Sequence, residues 1–180
     1  MKETENVFLI GPMGAGKTTV GRLLARDLGL EFLDSDHEIE KAANASISWI
    51  FDMEGEAGFR RRETRMIARL TERQEVLLAT GGGAVLDPGN RNLLKDRGIV
   101  VYLYVSLEAQ LSRKLKDENR PLLRTGDREQ RIRELYEARN PIYCELADIR
   151  VEAKRKHPHL VSRAVKRELN RYRTGSAAAD

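Results

Sequence analysis

Gly11-Pro12-Met13-Gly14-Ala15-Gly16-Lys17-Thr18 decides the reading of this chain. The apolar run Val7-Phe8-Leu9-Ile10 precedes it, a buried strand by its length and its β-branched and aromatic content. Val20, Leu23, Leu24 and Leu28 follow at the spacing of one helix face. A strand, a glycine-rich turn, Lys-Thr and a helix together make a phosphate-binding P-loop, and the flanking elements support that reading as much as the letters do. Gly11, Gly14 and Gly16 take backbone angles that let successive N–H groups converge on one point. The helix that opens there adds the positive end of its dipole. Lys17 supplies a point charge to β- and γ-phosphates, and the Thr18 hydroxyl is placed to ligate Mg2+. The expected ligand is a nucleoside triphosphate seated on Gly14, Ala15, Gly16, Lys17, Thr18 and Thr19.

Working outward, residues 30–34 read as a second short strand ending in a carboxylate, and Ser35 with Glu38 gives a capping-box spacing into a helix. Ile47, Trp49, Ile50 and Phe51 form an apolar cluster read as core. Gly55 and Gly58 are expected to break the chain before a helix over residues 59–73. Residues 76–80 are a third strand, followed at once by Gly81-Gly82-Gly83. Pro88 and Gly98 bracket the next helix, residues 99–105 form a fourth strand, and Leu107, Leu111 and Leu115 mark another helix. Across residues 116–131 the apolar pattern lapses into a long charged loop, expected to be a mobile lid. A helix resumes with Ile132, Leu135 and Tyr136 and is expected to end near Asn140-Pro141. A fifth short strand over 149–151 and a last helix over 159–172 complete the pattern.

Strands alternating with helices, most of them continuously apolar, predict an α/β fold: a three-layer P-loop arrangement with a five-stranded parallel sheet covered on both faces. One domain is expected over residues 1–173, with residues 174–180 a disordered tail. Ligands of such sheets sit beyond the carboxyl ends of the strands. Gly11, Asp34 and Gly81 stand at three of those ends, which implies one site.

The chain of 180 residues can bury a sizeable core without a staple. Its one cysteine, Cys144, cannot pair internally and is read as a small apolar residue, in a reduced, cytoplasmic setting. The first residues are too acidic for a signal peptide and no apolar run reaches the ~20 residues that span a bilayer, so no membrane partner is expected. The net charge of +4 is uneven: residues 154–173 hold eight Lys/Arg and one Glu, +7, which leaves −3 for the rest. Without aromatic interleaving or a nucleic-acid motif, that segment reads as a solvated helix face, with no nucleic acid as partner.

Asp34-Ser35-Asp36 puts two carboxylates at the phosphate end of the sheet. One can reach Mg2+ or its waters; the other can orient or deprotonate a hydroxyl that receives a phosphoryl group. Arg60-Arg61-Arg62 is read as the opening of a helix, where positive charge opposes the dipole, so at least one of the three is held there for an anion. Arg120, in Arg120-Pro121-Leu122-Leu123, is placed to close over the phosphates and meet transition-state charge. Arg139 is read as lying where a helix is about to end, able to point into the same cleft.

Over nearly the whole chain, to about Val151, these residues resemble the shikimate kinase family. The likeness lies in the P-loop octapeptide, Phe32-Leu33-Asp34-Ser35-Asp36, Glu56 with Gly58-Phe59-Arg60, Gly81-Gly82-Gly83, Arg120-Pro121-Leu122-Leu123, and Tyr136-Glu137-Ala138-Arg139-Asn140-Pro141-Ile142-Tyr143. The resemblance implies transfer of the ATP γ-phosphoryl to the 3-hydroxyl of shikimate, in the pathway to aromatic amino acids and chorismate. It implies that Asp36 binds ring hydroxyls and is the candidate base, that Arg60 and Arg139 grip the carboxylate beside the Gly82 backbone, that Arg120 is the lid arginine, and that Asp34 acts near Mg2+. The adenine-contacting position falls within Lys154-Arg155-Lys156, at Lys156. A monomer is expected. Two arginines and an aspartate do complement a small polyol with one carboxylate. Rival readings are another P-loop kinase, for gluconate or a nucleoside monophosphate, and a nucleotide-dependent nucleic-acid-binding protein.

Overall fold

Five strands join into one parallel sheet in the computed structural model, which describes residues 5–114, 127–153 and 157–175. In chain order the elements are β1 (Asn6–Ile10), α1 (Lys17–Leu28), β2 (Glu31–Asp34), α2 (Ser35–Ala43), α3 (Ile47–Thr71), β3 (Val76–Ala79), a 3-10 turn (Ala84–Leu86), α4 (Pro88–Arg97), β4 (Gly98–Tyr104), α5 (Leu107–Lys114), α6 (Arg128–Leu146), β5 (Ile149–Glu152) and α7 (Pro158–Arg173). The sheet order is β2-β3-β1-β4-β5, every neighbouring pair parallel, so the strand that feeds the P-loop lies at the centre. This is the expected α/β architecture.

Alternate residues of β1 feed two cores. Phe8 and Ile10 pack with Ile39, Ile50, Phe59, Ile67 and Tyr143 from α2, α3 and α6. Val7 and Leu9 pack with Val20, Leu24, Val165 and Leu169 from α1 and α7 on the other face. Burial on both faces explains why the strands read as unbroken apolar runs. Among the described residues no helix is long and apolar enough to cross a membrane.

Five local expectations need correction. Only Gly55 leaves helical geometry in α3 (φ 69°); Gly58 stays helical, and α3 starts at Ile47. Trp49 is 51% exposed rather than core, because the helix periodicity that buries Ile50 turns it outward. Asp34, not Ser35, caps α2: its carboxylate accepts the N–H groups of Asp36 and His37 at 3.0 and 3.2 Å. Helix α6 runs from Arg128 through Pro141 to Leu146, so residues 128–131 belong to it rather than to a loop. Burial of Tyr143 and Leu146 beyond the proline offsets the hydrogen bond that Pro141 cannot make, a loss of about 3 kcal/mol. Cys144, on that stretch of α6, is exposed.

Residues 115–126, which hold most of the anticipated lid and Arg120, lie outside the described residues, as do Lys156 and residues 176–180. On α7, Lys166 donates to the Asp27 carbonyl at 3.0 Å, and Arg167 and Arg171 both pair with Glu168. The arginine pairs are local and exposed, while Lys166 ties α7 to the end of α1.

Candidate active site

The P-loop leaves β1 through Gly11 (φ 142°) and enters α1 through Gly16 (φ 89°), a left-handed residue that caps the helix. A side chain at Gly11 would put its Cβ 2.7 Å from the Leu103 carbonyl, so the turn is held tight against β4. Lys17 is 9% exposed, and its ammonium donates to the Gly11 and Pro12 carbonyls at 2.7 and 2.8 Å. The Thr18 hydroxyl donates to Asp34 Oδ2 at 2.7 Å. Asp34 therefore does two jobs with two oxygens: Oδ1 caps α2 and Oδ2 faces Thr18 across the loop. Met13, Gly14, Gly16, Lys17, Thr18, Thr19, Asp34, Asp36, Thr80 and Gly82 line a hollow of about 260 Å³. Ala15 is buried behind it, its N–H donated to the Pro12 carbonyl.

A second cavity, of about 380 Å³, opens beside the first, within the range of small-ligand sites. Asp36, Arg60, Gly82 and Arg139 line it, so the structure brings together residues from α2, α3, α6 and the turn after β3. Asp36, Gly82 and Met13 line both hollows. Ile47, Ser48 and Phe51 supply one wall, from the part of α3 that precedes Gly55; Phe59, Arg60 and Glu63 come from the part that follows it.

Two of the three glycines after β3, Gly81 and Gly83, are there for space. A Cβ on Gly81 would lie 2.6 Å from Glu63 Oε1 and 2.8 Å from Asp36 Oδ1; one on Gly83 would sit inside the Arg60 guanidinium. Gly82 has more room, its nearest neighbours at 3.4 Å being Arg139 Nη1 and the Met13 amide nitrogen. The Gly81 N–H donates to Ser35 Oγ at 2.9 Å, which ties this turn to the start of α2.

Charge is concentrated and buried here. Glu63, 1% exposed, accepts from Arg60 at 2.5 Å, while Arg60 also donates to Glu56 at 3.2 Å. Burial opposes the Arg60 charge, but Glu63 and Glu56 outweigh it and hold the guanidinium firmly protonated. Burial lifts the Glu63 carboxyl above its ordinary range in spite of Arg60. For Asp36, burial first, then the charges of Asp34 and Glu63, push the carboxyl from 3.8 up to about 6 against the pull of Lys17 and Arg60. Arg139, 5% exposed, has its pKa lowered by burial and by Arg60. Asp36 Oδ1, Glu63 Oε1 and Arg139 Nε are buried without a hydrogen-bond partner. Unsatisfied buried groups of this kind are costly, and here three of them face one cavity region.

The dipole reading of Arg60 needs revision. The second part of α3 begins just after Gly55, so Arg60 lies more than a turn inside it, held by Glu56 and Glu63. Glu63 and Tyr143 were not among the expected site residues. The i, i+3 spacing of Arg60 and Glu63 was the one local signal for the first; nothing local pointed to the second, which approaches Gly82 across 61 residues of sequence.

The chain and its fold have close counterparts. The family profile described as "SKI: Shikimate kinase" matches residues 13–170. A shikimate kinase of Methylococcus capsulatus is 55% identical over 172 residues, 96% of this chain and 94% of the relative. A structure of shikimate kinase from Acinetobacter baumannii in complex with shikimate superposes with a TM-score of 0.87 at 49% identity, covering 98% of this chain and 97% of that one. The shikimate kinase of Aquifex aeolicus gives a TM-score of 0.83 at 36% identity, over 96% and 99% of the two chains. With the profile spanning most of its length and relatives this similar end to end, the chain belongs to the shikimate kinase family.

Proposed function

We propose that the chain transfers the γ-phosphoryl group of ATP to the 3-hydroxyl of shikimate, giving shikimate 3-phosphate. One observation supports this above the others: Asp36 lines both the P-loop hollow and the arginine-bearing cavity, so one carboxylate faces a triphosphate on one side and an acceptor on the other. Gly14 to Thr19 hold the phosphates, with Lys17 drawing in the β- and γ-oxygens. Arg60 and Arg139 receive the acceptor's carboxylate beside the Gly82 backbone, and guanidinium forks suit that group. Asp36 accepts a hydrogen bond from the acceptor hydroxyl and takes its proton as the O–P bond forms and ADP leaves. With a pKa near 6, it is mostly ionised at neutral pH yet basic enough to serve.

Thr18 and Asp34 place two hard oxygens 2.7 Å apart at the head of α1, a donor set that fits Mg2+ shared with phosphate oxygens. When bound there, the ion supplies charge neutralisation for the β- and γ-phosphates. Arg120 as lid arginine and Lys156 at the adenine remain part of the proposal, as do one catalytic domain over residues 1–173, monomeric action and a cytoplasmic setting.

ADP release coupled to a reporter, run with shikimate, gluconate and nucleoside monophosphates, tests the assignment. Turnover is expected with shikimate. Turnover with gluconate or a monophosphate alone would overturn it.

A further inference from the structure

We propose that Tyr143 is a positioning residue for the acceptor: its phenol fixes the Gly82 peptide beside the Arg139 guanidinium and so sets the geometry of the carboxylate grip. The inference rests on the shikimate-phosphorylating reading and assigns a residue to that same site.

Tyr143 lies one turn after Arg139 on α6 and is 2% exposed, so both side chains leave the same helix face. Its hydroxyl donates to the Gly82 carbonyl at 2.5 Å. A carbonyl oxygen only accepts, so the phenol is the donor: Tyr143 O–H to Gly82 C=O. Burial pushes the phenol up to about 12, so it stays a proton donor throughout the working range.

The ring has little freedom to move. It packs on the Tyr102 ring with centroids 5.0 Å apart. Arg139 Nη1 comes within 3.4 Å of where a Gly82 Cβ would stand, so a small shift of either group changes the space left for a carboxylate. Loss of the phenolic oxygen leaves the Gly82 carbonyl without this partner, and the peptide is free to shift against Arg139.

Steady-state kinetics of Tyr143→Phe, measured well below its melting temperature, test the role. The KM for shikimate is expected to rise about tenfold, with kcat within about threefold and the KM for ATP unchanged, the pattern of lost ground-state binding. Shikimate methyl ester, which lacks the carboxylate charge, should show the same kcat/KM in both proteins. Tyr102→Phe removes a neighbouring hydroxyl from the same stack and should leave the shikimate KM as it was. A shikimate KM within twofold of the unaltered protein overturns the inference. So does a penalty of equal size with the ester or in Tyr102→Phe, since either marks a loss of packing rather than of positioning. Failure of the unaltered protein to turn over shikimate would instead remove the reaction assignment, and this inference with it.

Discussion

Replacing Gly81 by alanine isolates one requirement of the site, because the residue's φ is not in the left-handed region and the added methyl is penalised by space alone. Ordinary van der Waals contact begins near 3.4 Å, whereas the new Cβ would meet Glu63 Oε1 at 2.6 Å and Asp36 Oδ1 at 2.8 Å. Relief requires displacements of about 0.8 Å at Glu63 and 0.6 Å at Asp36, or an equivalent shift of the turn. Misplacing a catalytic group by about 1 Å costs on the order of 10²-fold in rate, so kcat should fall about 10- to 100-fold. Overpacking should cost about 1–3 kcal/mol of stability. ADP release at saturating ATP and shikimate, with a thermal melt beside it, gives both quantities. Gly83→Ala meets the Arg60 guanidinium instead, at 2.5 Å from Nη1, and should act mainly on the shikimate KM; Gly82→Ala, at 3.4 Å, should be the mildest of the three. A Gly81→Ala enzyme that keeps kcat within twofold would refute the claim that the glycine is there to leave room for the two carboxylates.

Lys17→Ala should lower kcat by about 10²–10³-fold, the usual loss for one preorganised charge-stabilising donor, with little change in melting temperature; equal losses in both would point to a structural lysine. Arg139→Ala should raise the shikimate KM by about 10- to 100-fold, in line with about 1.5–3 kcal/mol for a charge-assisted contact; a change confined to the ATP KM would reassign it. For Asp36 the sign follows from its elevated carboxyl: between 3.8 and about 6 the folded chain binds more protons than the unfolded one, so stability falls as pH rises through that window. Above it the buried charge costs up to about 3 kcal/mol. Asp36→Asn should therefore abolish most of kcat yet melt higher than the parent at pH 8 in metal-free buffer, with the two melting curves converging toward pH 4. A variant that melts lower at pH 8 would contradict this. The kcat/KM profile of the parent should fall off below about pH 6, where Asp36 becomes protonated.

Much of the fold was legible because its determinants are local. Val7 to Ile10 is apolar at every position since β1 has a core on each side, and the P-loop needs glycine where no other residue fits. Asp34 and Asp36 could be placed by their position at a strand end. Misreadings arose where a long-range contact outweighs a local preference. Pro141 looks like a helix stop, yet Tyr143 and Leu146 gain more by burial than the lost hydrogen bond costs. Gly58, by contrast, is a local case: it stays in the helix, where a side chain would collide with Glu54. The Arg60–Glu63 pair leaves its i, i+3 spacing as a local signal, whereas the Tyr143 contact to Gly82 depends on how α6 is set against the turn after β3, which no pattern within the helix encodes.

The exposed position of Trp49 gives the protein an optical reporter of its own. It is the chain's one tryptophan, and it stands on the helical segment whose Ile47, Ser48 and Phe51 wall the acceptor cavity, away from the phosphate loop. That segment is joined to the rest of α3 through Gly55, which leaves helical geometry, so emission from the unlabelled enzyme is expected to report on the acceptor side of the cleft separately from the nucleotide side; a spectrum unchanged on adding shikimate would exclude this.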